Sequence, residues 1–248
     1  MTTFQRRPFG LSASSVLIFA AFCFTGALPA VAETGPQKTN AAAAAPASTA
    51  ANAPSAGAIA GGRATPSLSV QGFRSAKFGM TEAEVRASIA KDFSVPATAV
   101  RAESNSAERT QSLTVKVPDL LPDSGAADVS YVFGYHSKKL IHVGVLWSKT
   151  VDETMTPERL LANAEALRGY FLTDGFVPKS IVTNAAIGEG VMFFRGEDVN
   201  GHSTVLILKG TMGPEGQKPR AFTPTATVLY YMADAEHPDV YKVPAGKF

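Results

Sequence analysis

The chain has 248 residues, 45% of them hydrophobic, with 23 basic residues against 21 acidic and a single cysteine, Cys23. That length is enough for a sizeable core, in one domain or two small fused ones. A lone cysteine excludes a disulfide framework and a cysteine-built zinc site, and near-balanced charge excludes the basic footprint of a nucleic-acid binder.

The N-terminal segment reads as an export signal. Arg6 and Arg7 precede an apolar run from Val16 through Leu28, and Pro29-Ala30-Val31-Ala32-Glu33 offers small residues where a signal peptidase needs them. The expected cut lies between Ala32 and Glu33. An uncleaved anchor is the alternative, since Val16 to Ala32 spans 17 residues, the lower limit for a bilayer. Arg6-Arg7-Pro8-Phe9 has the core of a twin-arginine signal, but the residues that follow do not continue it, which favours the general secretory route. Lipid attachment at Cys23 would call for a small residue before it, where this chain has Phe22. Removing residues 1–32 takes away Cys23, Arg6 and Arg7, leaving 21 basic against 21 acidic residues. The processed protein is therefore expected to be neutral, free of cysteine, and periplasmic or secreted.

Residues 33–67 are built from Ala, Pro, Thr, Ser and Gly without an aromatic. Such a stretch cannot bury enough apolar surface to offset its ordering entropy, so the composition predicts a disordered linker. Its reach as a coil would be roughly 30–35 Å. The folded domain is expected over 68–248.

Two helix starts stand out within it. At Met80-Thr81-Glu82-Ala83-Glu84-Val85, Thr81 is a good N-cap, Glu84 completes a capping box, and Met80 with Val85 forms a hydrophobic staple. Val85, Ile89 and Phe93 then recur at intervals of four as one apolar stripe, with Pro96 just beyond. At Met155-Thr156-Pro157-Glu158-Arg159-Leu160 the pattern repeats 75 residues later, with Pro157 at the favoured first position. Leu160, Ala164, Leu167 and Phe171 supply its stripe, and Asp174-Gly175 its stop.

Extended runs follow each helix. The first set is Thr110–Val117, Asp128–Tyr135 and Leu140–Trp147; the second is Phe176–Asn184, Val191–Arg195, Ser203–Lys209 and Ala226–Met232. Asn200-Gly201 marks a hairpin. Alternation of strand faces favours placing Tyr131, Phe133 and Tyr135 beside Ile141, Val143, Val145 and Trp147 under the helices, leaving Val132, Gly134, His142, Gly144 and Leu146 opposite. The expected fold is therefore α+β: two helix-plus-antiparallel-meander repeats, about 73–148 and 152–233, with the helices packed on one face of an antiparallel sheet.

The segment Phe78-Gly79-Met80-Thr81-x-x-Glu84-Val85 resembles the helix start of the SmpA/OmlA (BamE) outer-membrane-assembly lipoproteins. A tandem pair of such units is similar to the β-lactamase-inhibitor-protein architecture. Ile89-Ala90-Lys91-Asp92-Phe93 stands where that family closes its first helix with Leu-Gly-x-Pro, and the lipobox cysteine is missing. The resemblance implies binding through a sheet face or loops, without chemistry.

Catalytic patterns are thin. Ser88-Ile89-Ala90-Lys91 matches the Ser-x-x-Lys of penicillin-recognising enzymes, but no Ser-Asp-Asn or Lys-Thr-Gly accompanies it. His136, His142, His202 and His237 do not pair at helical metal spacing. Nucleophile-elbow, zincin, phosphate-loop and dinucleotide motifs are missing. The Gly- and Pro-rich stretch Thr211–Thr225 reads as a long loop in which Lys218, Arg220 and Phe222 could engage a partner. The expectation is a non-enzymatic protein-binding module of the bacterial envelope, without cofactor or metal. Its partner would be another envelope protein and not nucleic acid, with membrane contact only through an uncleaved signal; oligomeric state stays open. The alternatives are an envelope enzyme with no recognisable motif and a small-ligand carrier.

Overall fold

The computed structural model describes residues 68–213, 221–243 and 246. One compact unit spans Thr65–Phe248; the other, Met1–Ala64, lies outside the described residues, as do the expected signal, its Ala32–Glu33 cut and the linker.

Local signals set the helices. In α1 (Glu82–Phe93) the Thr81 hydroxyl accepts from the Glu84 N–H, and the Glu84 carboxylate accepts from the Thr81 N–H at 2.7 Å. Those reciprocal bonds satisfy two donors that a helix start leaves unpaired. The backbone N–H of Thr81 holds the Glu84 carboxyl below its ordinary value. Ser94, left-handed at φ 53°, ends the helix. In α2 (Pro157–Thr173) Thr156 caps the Arg159 N–H and Pro157 occupies the first turn.

Eight strands form one antiparallel sheet: β3 (Val100–Asn105), β4 (Thr110–Val117), β5 (Ala127–Phe133), β6 (Leu140–Ser148), β7 (Ala185–Ile187), β8 (Gly190–Glu197), β9 (Ser203–Met212) and β10 (Phe222–Met232). Their order is β3-β4-β5-β6-β10-β9-β8-β7. A separate ribbon pairs β1 (Gly72–Phe73) with β2 (Ala76–Lys77).

The expectation of two helix-plus-meander repeats is corrected by this topology. The protein is mostly sheet, and β3 to β10 belong to a single antiparallel sheet. The cause is the β6–β10 pairing, which runs from Ser148↔Ala226 to His142↔Met232 and joins the last strand before α2 to the last strand after it. One shared core cluster follows, containing Val85 and Ile89 of α1 together with Leu160 and Phe171 of α2. The similar helix starts mark two helices, not two modules.

Strand register sorts the side chains. Val129, Val145, Leu229, Leu206 and Phe194 lie in one row, and Tyr131, Val143 and Tyr231 in the next. This face carries Trp147, the largest wholly buried side chain. α2 lies against it: Phe171 stacks on Phe194 with ring centroids 5.3 Å apart, and the Thr227 hydroxyl donates to the Leu160 carbonyl at 2.7 Å.

The aromatic face thus forms as expected for Tyr131, Val143, Val145 and Trp147. A bulge at Val132/Phe133 then sets Phe133 opposite Leu140, so Leu140 is buried and Ile141 is half-buried. Tyr135 lies beyond the strand. Phe176–Asn184 is a 3-10 turn over Pro178–Ser180 followed by a lone bridge at Val182, where a strand was expected.

Candidate functional site

The second face of the sheet carries the residues that alternate with the core. One row across it reads Lys116, Asp128, Leu146, Val228, Ile207 and Met192; its neighbour reads Arg101, Thr114, Ser130, Gly144, Tyr230 and Val205. Both rows are polar on β3–β5 and more apolar on β6, β10 and β9; on β8 the first ends at Met192 and the second at Arg195, which pairs with Glu197. At the polar end Arg101 pairs with Asp128 at 2.9 Å, and the Thr114 and Ser130 hydroxyls meet at 2.9 Å. On the apolar side Leu146 and Ile207 are half-buried, and Val228 and Met192 between and beside them are buried.

His142 and Tyr230 occupy the middle, their rings edge to face with centroids 5.0 Å apart. Burial lowers the imidazole to about 4 and raises the phenol to about 12. Both groups are therefore neutral near pH 7, far from the range in which a proton shuttle works. The centre of this face offers shape and apolar contact.

Elsewhere, a cleft of about 350 Å³ is lined by residues that include Lys116, Asp119, Asp123, Asp152 and Arg159. Asp152 accepts from the Thr154 hydroxyl at 2.6 Å and from the Ala126 N–H at 3.0 Å, and those bonds lower its carboxyl to about 2. The Lys116 ammonium donates to the Val151 carbonyl. These groups brace the loop that leads into α2, and a carboxylate so held is a poor proton donor at neutral pH.

The expected partner-binding residues are not brought together. Lys218 and Arg220 lie outside the described residues. Phe222 is not on a loop but opens β10, paired with Met212, and it packs partly against the core. Thr211–Thr225 is shorter as a loop than its composition suggests, because β9 runs to Met212 and β10 begins at Phe222, and just beyond them the Gly213 N–H donates to the Ala221 carbonyl at 2.7 Å. The histidines are dispersed. His136 sits against Asp239, His202 against Asp198 and His237 against Asp234. The hydroxyl of Ser88, the first residue of the Ser-x-x-Lys match, donates to the Glu84 carbonyl within its own helix at 3.0 Å. Among the described residues no group of three or more His, Cys, Asp or Glu side chains could hold a metal ion, and no helix is long and apolar enough to cross a membrane.

The apolar half of the outer face was only partly legible: alternation assigns Val132, His142, Gly144 and Leu146 to it, but the contribution of β8–β10 depends on the β6–β10 pairing. Comparison of the chain with family models, with curated proteins and with solved structures gave no match, so no family is assigned.

Proposed function

We propose that this chain is an exported envelope protein that acts as a non-enzymatic protein-binding module, through the sheet face opposite α2. The observation that carries the reading is the graded outer face, where half-buried Leu146 and Ile207, seated on buried Val228 and Met192, adjoin a rim of Arg101, Lys116 and Asp128. Apolar contact beside ordered charge is how protein interfaces combine affinity with orientation. The neutral His142 and Tyr230 at its centre favour contact over proton chemistry.

The test is capture from envelope extract by the full-length chain, expressed in an exporting host. Wild type should retain a partner that Leu146→Asp and Ile207→Asp lose, while Glu165→Lys on the exposed side of α2 keeps it. Equal retention by wild type and both face variants would reject the sheet face as the contact.

A further inference from the structure

An edge strand leaves a row of backbone donors and acceptors without partners, and folded proteins usually blunt such rows with charges, prolines or bulges. The two edges of this sheet differ. β7 is three residues long and is followed by Gly188. β3 is longer and regular: it pairs with β4 from Val100↔Val115 to Asn105↔Thr110 with no shift of register and contains neither proline nor glycine. Residues 101 to 104 are all exposed along it.

The charges on β3 are arranged in a particular way. Arg101 and Glu103 alternate with Ala102, so both stand on the outer face, with side chains 57% and 55% exposed. Their intrastrand contact is loose, at 3.9 Å, whereas Arg101 is also held by Asp128 at 2.9 Å.

We infer that β3 is an isologous contact site for a second copy of this chain, paired antiparallel edge to edge about Ala102, with Arg101 of each copy opposite Glu103 of the other.

The register follows from symmetry and charge. Identical antiparallel strands related by a two-fold axis pair residues of equal parity, because outward-facing backbone groups alternate along a strand. Centres at Ala102 and Glu103 each keep five of the six β3 residues paired, and a centre at Arg101 keeps three. Centring on Arg101 sets arginine against arginine, and centring on Glu103 sets glutamate against glutamate. Centring on Ala102 creates two opposite-charge pairs and matches Val100 with Ser104. Directly opposed like charges destabilise a ladder and opposed unlike charges support it. The same two side chains discourage an unrelated strand, which meets them with mismatched charge. The pattern therefore repels strangers and admits its own copy in one register.

The contact is short, so the dimer is weak and belongs with transient interfaces. Sedimentation equilibrium of the full-length protein from an exporting host, from roughly 10 µM to roughly 1 mM, spans that range of affinity. Wild type should show reversible monomer–dimer exchange. Glu103→Arg alone and Arg101→Glu alone should each weaken it at least about tenfold, which corresponds to setting like charges across the axis. Mixing the two single variants should restore association as a heterodimer, because each arginine pair then meets a glutamate pair. Arg101→Glu also faces Asp128, so a second measurement avoids that variant. In a Cys23→Ser background, Ala102→Cys should oxidise to a covalent dimer faster than Gln111→Cys on the neighbouring strand. A protein that stays monomeric throughout the range overturns the inference, as does a dimer indifferent to Glu103→Arg or an Ala102→Cys variant that oxidises no faster. These readouts are independent of partner capture, so the sheet-face reading can fail while this one stands.

Discussion

Val70 donates its backbone N–H to the Asp198 carboxylate at 2.8 Å, joining positions 128 residues apart. The other carboxylate oxygen accepts from the Asn200 N–H at 2.8 Å and the His202 N–H at 2.9 Å, and the Asp198 side chain is wholly buried. One side chain thus builds the β8–β9 turn and ties the start of the described chain to it. Asp198→Ala would leave three N–H groups without their acceptor, and should cost about 3 kcal/mol. Ser69→Ala, at an exposed 3.4 Å contact with Asn200, should fall within about 0.5 kcal/mol of wild type. Urea unfolding followed through Trp147, the only tryptophan and wholly buried, reads both. Equal midpoints for wild type and Asp198→Ala would refute the assigned role.

Asp239 makes a similar latch at the C-terminal end, where its carboxylate accepts from the N–H groups of His136 and Ser137 at 3.0 and 2.9 Å. Burial alone would raise this carboxyl, but those hydrogen bonds outweigh it and hold the group well below the ordinary range. Because the folded value lies below the unfolded one of about 4, the stabilisation is complete above that pH and is lost as pH falls toward the folded value. Asp239→Asn should therefore lower the melting temperature by a constant amount from about pH 8 to about pH 5, with the gap closing below about pH 4. Melts across pH test this. A gap that persists unchanged at pH 2 would contradict the linkage.

What the sequence disclosed was what it encodes locally. Thr81, Glu84, Thr156 and Pro157 act within four residues of themselves, and the helices begin where these caps place them. Strands with an apolar face were also legible, as in Thr110–Val117 and Leu140–Ser148. β3 was not, because Arg101-Ala102-Glu103-Ser104 is an exposed edge with no buried side to impose alternation. Pro224 made a loop of what is strand, whereas a register shift between Pro224 and Ala226 absorbs the missing N–H. The β6–β10 pairing, which decides the architecture, joins segments some 80 residues apart and leaves no local mark. The outer face inherits that limit, since half of its apolar surface comes from strands that only this pairing brings beside Leu146.

Gly196 is a glycine for reasons of space. A Cβ at this position would lie 2.8 Å from the Phe176 ring and 2.7 Å from that of Phe194, both of which pack around Phe171 under α2. Gly196→Ala must push apart a packed aromatic cluster, and should cost about 1–3 kcal/mol. Gly169→Ala, where a Cβ meets nothing within 4 Å in an exposed helical position, should instead stabilise by up to about 1 kcal/mol. Opposite signs for the two alanines are the expected result in denaturant titrations, and a neutral Gly196→Ala would show that the rings yield without penalty.

His142 gives the outer face a titration signature distinct from that of Asp152 and Asp239. Its folded value, about 4, lies below the ordinary 6.5 because burial disfavours the imidazolium. As pH falls, the unfolded chain takes up this proton first, so the folded state loses stability between about pH 6.5 and about pH 4, and this group costs nothing further below that. The carboxylates act on the other side of that boundary, since Asp152, lowered to about 2, and Asp239 weaken the fold only as they gain protons below about pH 4. Two acid limbs should therefore separate in pH, and His142→Gln should remove the upper one while leaving the lower intact. Nitrogen-15 shifts of the imidazole report the same event directly: His142 should remain neutral at pH 5.5. A His142 that charges near pH 6.5 would mean that this part of the outer face is wetter than its packing against Tyr230 implies.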